Sequence, residues 1–425
     1  MGGKASILLV LGFSLIFIVA GTNFWNLSTR SVENNIDYFA NGKAHNIAVS
    51  GANIALQSIF QDKDWDDGIS GLTFDGGEIN VSVVSDSAFK IVTSSGTFEG
   101  IEHEVIVKLQ PSSYAKFAWY AGNMSSKDFI TGDTVWGPFH TQSKLNIDGD
   151  PVFWGKVTSL KGLNIADGDP KFYGGYESGI DVPLPVNYQF TQEKSMAVDG
   201  VVNKGGSSYF DGTDVWLTFN ADGTITHRTG TGSDSSTYSA PITEPLSTFA
   251  PNGVVYVARG NIYASGTLNG KVTVAVGEAS GVGHGNLYLV DNLTYRNAPM
   301  VYDAALNKYV KNESCQDMLG LLATNNVVVA ETDKNVFQKD VRIDASIFCA
   351  QGGFTIEDKT IPPSGTIYVR GGMVAAKEEL VATLDGSGNI KNGYKKHVIF
   401  DERFMLNIPP VFPGTGKFEI VSWFE

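Results

Sequence analysis

The chain has 425 residues, long enough to bury a sizeable core, so a short disordered regulator is excluded. Its 48 glycines and 18% charged residues favour β structure with many turns over a helical bundle. The net charge of −14 would repel a phosphate backbone, which disfavours nucleic acid as a partner. Two cysteines are too few for a disulfide scaffold or a four-thiolate zinc site.

The N-terminus predicts a membrane segment. Residues 5–21 are 17 uncharged, mostly apolar residues that follow Lys4. As a helix they cover most of a hydrocarbon core about 30 Å thick. A cleaved signal peptide usually has a shorter apolar region and no helical continuation. The positive charge of Lys4 places the N-terminus on the cytoplasmic side.

Helical periodicity continues to about residue 61, without a proline before Pro111. We therefore predict one nearly continuous helix over residues 5–61. The alternative is an ordinary anchor followed by a separate amphipathic helix. Beyond the membrane segment, apolar and small side chains form a stripe on one face of the helix, which predicts packing against a globular head. The stripe comprises Val32, Ile36, Phe39, Ala44, Ala48, Ala52 and Ile59.

The Gly2-Gly3-Lys4 lead, the apolar run and the segment 43–53 (KAHNIAVSGAN) resemble type IV pilins and pseudopilins, in particular minor pilins with large C-terminal domains. Major pilins carry a glutamate at the fifth mature position, whereas the first acidic residue here is Glu33. This departure suggests a minor or tip subunit, or a divergent filament, and leaves the cleavage site of the leader open.

The resemblance implies an inner-membrane protein that moves into an extracellular appendage or to the cell surface. Its partners would be further copies or other pilin-like subunits. The side chains expected to bury against neighbouring subunits are Ile7, Leu8, Leu11, Leu15, Phe17 and Ile18.

Residues 63–136 predict a small antiparallel β meander. Segments 78–83, 89–92 and 104–109 alternate apolar and polar residues, and glycine-rich turns separate them. A long helix packed on such a meander is also what a pilin-like head implies. The overall fold class is therefore α+β and mainly β.

From Gly137 the chain changes to short apolar runs between polar turns. Residues 145–155 are echoed by 163–174, a period of 18 to 19 residues that predicts a solenoid, here a parallel β-helix. We predict its first rungs in 137–187 and the remainder, with a C-terminal cap, in 251–425. Residues 188–250 break the period and predict an inserted hairpin with Asp222-Gly223 in its turn. Segments 317–329, 345–348 and 362–372 resemble large pilin-like surface proteins.

Four aspartates lie in the two repeat turns: Asp148, Asp150, Asp167 and Asp169. Neighbouring rungs would bring them together as a calcium site or an acid/base pair. Turn chemistry alone also explains aspartate in such turns, because its side chain caps nearby amides, and we favour that interpretation.

Three further features each have two interpretations. Cys315 and Cys349 form either a disulfide or two buried free thiols. His103 lies on a solvated strand face or binds a metal. The third feature is a group of four aromatic residues: Phe153, Trp154, Phe172 and Tyr173. Their rings either stack inside the solenoid, which we favour, or form a carbohydrate-binding strip.

The function expected from these features is structural and non-enzymatic. The chain contains no P-loop, G-x-S-x-G or H-E-x-x-H motif, and no cofactor is expected apart from the calcium hypothesis. The leading hypothesis is a pilin-like subunit that polymerises through its N-terminal helix and displays a β-helix, with a carbohydrate or surface ligand as a further candidate partner. The alternatives are a membrane-anchored adhesin that does not polymerise and a glycan-active β-helix enzyme.

Overall fold

The computed structural model describes residues 2–86, 89–124, 129–185, 188–278, 283–336, 339–385 and 390–425. The chain forms two compact units. The first unit comprises Met1–Ser112 and Gly416–Glu425, and the second comprises Ser113–Thr415.

The helices in chain order are α1 (Gly2–Gln61), α2 (Thr191–Lys204) and α3 (Leu246–Phe249), with 3₁₀ turns at Tyr114–Lys116, Ser235–Thr237 and Glu402–Met405. The strands up to the middle of the chain are β1 (Ile69–Phe74), β2 (Gly77–Ser85), β3 (Lys90–Phe98), β4 (Ile101–Ser113), β5 (Trp119–Asn123), β6 (Phe129–Ile130), β7 (Thr134–Trp136), β8 (Phe139–Thr141), β9 (Leu145–Asp148), β10 (Val152–Phe153), β11 (Val157–Ser159), β12 (Leu163–Asp167), β13 (Lys171–Phe172), β14 (Tyr176–Ser178), β15 (Tyr209–Asp211), β16 (Asp214–Phe219), β17 (Thr224–Gly230) and β18 (Ile242–Pro245).

The later strands are β19 (Val254–Ala258), β20 (Ile262–Leu268), β21 (Lys271–Gly277), β22 (Leu287–Tyr295), β23 (Met300–Asp303), β24 (Lys308–Lys311), β25 (Met318–Ala323), β26 (Val327–Val329), β27 (Val341–Cys349), β28 (Phe354–Ile356), β29 (Thr366–Lys377), β30 (Ala382–Leu384), β31 (Ile390–Gly393), β32 (Lys395–Phe400) and β33 (Gly414–Phe424).

The first unit contains the long helix that the sequence predicts. α1 runs without a break over 60 residues, a length of about 90 Å at the rise of an α-helix. The prediction of one continuous helix is confirmed, and the alternative of two separate helices is wrong.

A five-stranded sheet, in the order β1-β2-β3-β4-β33, accompanies α1 in this unit. The β1–β2, β2–β3 and β3–β4 pairs are antiparallel, as predicted for the meander. Two-residue turns at Asp75-Gly76 and Glu99-Gly100 have positive φ at both positions, the geometry that matches the twist of a tight hairpin. The sequence assigned the last residues to a C-terminal cap, whereas the structure pairs β33 with β4.

The second unit is dominated by a 21-stranded sheet within the described residues. Its strands are largely parallel, and the repeat found in the sequence appears as in-register pairs. Leu145 lies opposite Leu163 in a neighbouring small sheet, and Phe153 lies opposite Phe172. The mainly β architecture is confirmed; the coiling of these strands into a β-helix stays a prediction.

The order of strands in this sheet differs from their order in the chain. β29 and β32, near the C-terminus, pair in parallel with β5 and β7, which begin the unit. β15 and β16 pair in parallel with β19 and β20, and the predicted insertion 188–250 contributes four strands, β15 to β18, to the same sheet. The hairpin that the sequence predicts there is present as β16–β17, with Asp222-Gly223 in its turn.

Candidate assembly surface on the N-terminal helix

The first part of α1 is apolar on every face and exposed. The six predicted assembly residues are between 56% and 73% exposed: Ile7, Leu8, Leu11, Leu15, Phe17 and Ile18. Their neighbours Leu9, Phe13 and Ile16 are exposed as well, on other faces of the helix. A helix that is hydrophobic all round is stable only inside a protein core, a membrane or an assembly.

The uncharged part of α1 is longer than the predicted segment. No charged residue lies between Lys4 and Arg30, a stretch of about 38 Å as a helix. By length and composition, α1 is able to cross a membrane. Phe24 and Trp25, both more than 70% exposed, lie near the end of this stretch, where aromatic side chains favour a membrane interface. These two residues are not among the predicted assembly residues, although they lie in the charge-free run that ends at Thr29.

The second part of α1 is held by the sheet of the same unit. Ala44, Ala48, Ala52 and Ile59 are at most 1% exposed, as predicted for packing against the head. They form a core with Ile79, Val92, Val105, Val107 and Leu109 from the strands. Because the helix residues are small, the backbones approach closely.

The other predicted packing residues are not buried. Val32 and Ile36 are 55% and 53% exposed, so their assignment to helix–head packing is wrong. Phe39 is 59% exposed, and its ring meets the head at the margin, edge-on to Phe98, the last residue of β3. The sheet ends at its turns, where Lys43 forms an ion pair with Asp75 in the β1–β2 turn. Residues before Phe39 extend past these turns. The periodicity of α1 does not tell how far the sheet reaches along the helix, so it could not predict where burial ends.

The four aspartates of the repeat turns do not form a metal centre. Among the described residues, no three His, Cys, Asp or Glu side chains are grouped so as to hold an ion. Asp167 accepts a hydrogen bond from the Gly168 amide, and Asp150 accepts one of 2.7 Å from the Asp169 amide. Asp169 forms an ion pair with Lys171, and Asp148 lies opposite Asp167 in the strand register. These residues do not fit the calcium hypothesis; their contacts are those of turn and strand-end caps.

Cys315 and Cys349 are buried free thiols, so the disulfide interpretation is wrong. β25 and β27 are parallel, and Cys349 lies opposite Ala323 at their far ends. Cys315 precedes the start of β25, at least about 16 Å away by strand rise, whereas a disulfide requires Cα atoms within about 7 Å.

The aromatic group divides between the inside and the outside of the second unit. Phe153 is fully buried and stacks on Phe172 at 5.2 Å, as the favoured interpretation predicts. Trp154 and Tyr173 stack on each other at 4.5 Å but are 39% and 64% exposed. Trp136 stacks on the other face of Trp154, so both faces of Trp154 are covered, while Tyr173 keeps one ring face unstacked.

His103 lies on β4 of the first unit and is half-buried. Its Nε2 is 3.1 Å from Asn41 Oδ1, and its ring contacts that of His45 edge-on. Neither contact indicates a metal ligand.

The second unit contains a buried carboxyl group that the sequence does not predict. Glu193 on α2 is 1% exposed; Tyr188 donates a 3.3 Å hydrogen bond to its Oε1, and its Oε2 has no partner among the described residues. Burial raises the pKa of Glu193 to about 7. In the sequence Glu193 looks like any polar residue of an amphipathic helix, so nothing there predicts that its side chain is buried.

Comparison with known proteins adds one weak likeness. No family model and no curated protein matches the chain. Among solved structures, the chain is similar to the competence-associated pilin ComZ from Thermus thermophilus at 15% sequence identity, over 91% of this chain and 97% of that chain, with a TM-score of 0.33. A likeness this weak establishes neither the family nor the fold.

Proposed function

We propose that this chain is a non-enzymatic, pilin-like subunit of a type IV pilus-related filament or pseudopilus. α1 anchors it in the inner membrane before assembly. In the filament, residues 6–27 then pack against the same segment of neighbouring copies or of other pilin-like subunits. The second unit is displayed on the extracellular side.

The observation that carries this proposal is the division of α1 into two halves with opposite environments. From Ala40 onward the helix is clamped to its own sheet, while the residues before it are exposed within the described chain. Moving the exposed half from lipid to a bundle of identical helices keeps its apolar surface out of water throughout. A helix that served only its own head would need no such extension.

We infer that the displayed unit is a parallel β-helix. This is supported by parallel, in-register strand pairs that recur every 18 to 19 residues, as between β8, β11 and β14. Each strand buries its apolar side chains against the next, which suits a body that must resist unfolding outside the cell.

The test compares the amounts of wild-type and variant chains in sheared surface material from expressing cells. Leu11→Lys places a charge in the apolar segment at a cost of about 3 kcal/mol in a membrane environment. Leu11→Ile is the matched control, since it keeps the apolar surface. We expect the wild type and Leu11→Ile in filaments, with Leu11→Lys and a deletion of residues 5–21 absent from them. Retention of the deletion in filaments would contradict the proposal.

The same experiment distinguishes the proposed filament subunit from the alternative, an anchored adhesin. That protein would remain in the membrane fraction in its wild-type form and never enter filaments. The enzyme alternative is tested by incubating the full chain in detergent with polysaccharides. New reducing or unsaturated ends would contradict the non-enzymatic role.

A further inference from the structure

The 21-stranded sheet and the small sheet β12-β9-β6 together form an array of stacked strands. At one end of this array the last strands lack a strand partner on their outer side, among the described residues. β12, β13 and β14 each pair on one side only, with β9, β10 and β11, among the residues that the structure describes. We call these three strands, residues 163–178, the open edge. Their outer backbone N–H and C=O groups have no strand partner there, and their side chains are mostly exposed.

Within the described residues, no strand covers this edge. After β14 the chain contacts the layers already formed: Gln142 Nε2 donates to Asp181, and the Tyr120 hydroxyl donates to the Val182 oxygen. The opposite end of the array is different. The far side of β16 is paired with β17, which in turn pairs with β18, and α2 contacts β15, which pairs with β19 alone among the described residues. A hairpin and a helix therefore cover much of that end.

The open edge also exposes apolar side chains. Ile165 is 45% exposed and Tyr173 is 64% exposed, and Tyr173 continues the Trp136–Trp154 stack with one ring face unstacked. Terminal layers of repeat arrays are normally polar or capped, because an unpaired apolar strand edge promotes association.

The repeat itself indicates what fits this edge. The open edge presents Leu163, Ile165 and Phe172 at the positions where the layer beneath presents Leu145, Ile147 and Phe153. The layer beneath is covered by strands of this same sequence pattern. A second copy of the chain supplies such strands at its own open edge.

Charge opposes this contact less than the net charge of −14 on the whole chain would suggest. At the open edge Asp169 is paired with Lys171. Glu177 is paired with Lys156 at 2.6 Å. Asp167 adds one further negative charge to each edge, so two such edges approach with part of the repulsion that the net charge would otherwise produce.

We propose that the open edge is a self-association surface on which two copies of this chain dock edge to edge. Two identical ends meet through a twofold axis, which makes the pairing strands antiparallel across the contact. The contact closes at two copies because a twofold axis uses the same edge of both copies. This contact goes beyond the proposed function and does not depend on polymerisation through α1; in a filament it would join the displayed units of separate filaments.

The experiment uses cysteine cross-linking of the full chain in detergent. Both native thiols are buried, so an introduced cysteine is the accessible one. Asn164→Cys, Ala166→Cys and Glu177→Cys place it on the open edge, and Ser233→Cys, exposed near the opposite end, is the matched control. Mild oxidation should give covalent dimers from at least one open-edge position, several-fold above the control. Equal cross-linking at all four positions, or none, would overturn the proposal.

A second variant tests whether the cross-linked dimer forms through the open edge. Ile165→Lys in the background of the cross-linking cysteine places a charge at the apolar centre of the contact, on a side chain exposed enough for the chain to fold. Its cross-linked fraction should fall about tenfold, and association through α1, present in every variant, should not change. An undiminished cross-link in this variant, with an unchanged circular dichroism spectrum, would also overturn the proposal.

Discussion

Ser94 Oγ donates a 2.8 Å hydrogen bond to the main-chain oxygen of Ala48, at the centre of the buried contact between α1 and its sheet. Around this bond the backbones are close enough that two positions have no room for a side chain. A Cβ on Gly51 would meet Ile79, and a Cβ on Gly96 would meet the Ala44 oxygen at 2.5 Å. This contact holds the second half of α1 and thereby leaves the first half available for other partners.

Substitution of Gly96 by alanine should loosen this contact. The added Cβ would clash with the main chain of Ala44 and Ala48, which cannot move without separating helix from sheet. We expect a loss of about 2–3 kcal/mol, measured by hydrogen exchange of the α1 amides over residues 44–59. Gly42→Ala is the control, because a Cβ there meets nothing within 4 Å. Equal protection of these amides in both variants would show that the close approach is unimportant.

The features that could be predicted from the sequence are those determined by residues close to one another in the chain or by a repeated motif. The helix to Gln61 follows from periodicity, the β16–β17 hairpin from its Asp-Gly turn, and the 145/163 register from a repeated motif. The extent of helix burial was not predictable, because it depends on where the hairpin turns of another element end.

Long-range pairing was equally hidden from the sequence. β29 and β5 pair although more than 240 residues separate them, and each strand carries only a short apolar pattern that fits many partners. The open edge at β12–β14 follows from that pairing order, so it too appears only in the structure. The two interpretations of the cysteines were separable only once β25 and β27 were known to be parallel neighbours.

Loss of the Arg370 guanidinium, which is partly buried, should destabilise the second unit strongly. Arg370 donates to both oxygens of Asp344, at 2.6 and 2.9 Å, and the Asp344 side chain is fully buried. Arg370→Met leaves a buried carboxylate without its positive partner, with the Tyr295 amide still donating to it, and we expect this to cost about 3–5 kcal/mol at pH 8 in chemical denaturation. Lys359→Met breaks an exposed pair with Glu379 and should cost less than about 1 kcal/mol.

The effect of Arg370→Met should also depend on pH. Burial raises the pKa of Asp344 even beside the arginine, and removing the positive charge raises it further. A carboxyl whose pKa is raised by folding stabilises the folded state only while it is protonated. The variant should therefore regain part of its stability at pH 5, and a loss that is the same at pH 5 and pH 8 would contradict this explanation.

Glu193→Gln should stabilise the chain at high pH. The folded-state pKa of Glu193 is about 7, above its ordinary value of 4.5. Its contribution is fully present below pH 4.5 and is lost as the pH rises through 7, by about 3 kcal/mol in total. The glutamine variant should be more stable than the wild type at pH 8 and similar to it at pH 4.5, by urea denaturation. Glu313→Gln, at an exposed position, is the control and should leave the pH dependence unchanged.

Chelation of divalent cations should not change the stability of the repeat turns. Asp150 and Asp167 accept amide hydrogen bonds, and Asp169 is paired with Lys171, so these contacts form without an ion. Thermal unfolding should be the same with calcium, with magnesium and with a chelator. Stabilisation by calcium alone would restore the calcium hypothesis for the four aspartates.

Cross-linking through α1 inside filaments is the most direct test of the account. A single cysteine in place of Leu15 lies in the middle of the exposed apolar half, and Ser233→Cys in the displayed unit is its counterpart. In sheared filaments oxidised without detergent, Leu15→Cys should yield disulfide-linked species that join the chain to further copies. Filaments that contain the chain but give no cross-link at position 15 would show that the apolar half of α1 does not face its neighbours, and would contradict assembly through this helix.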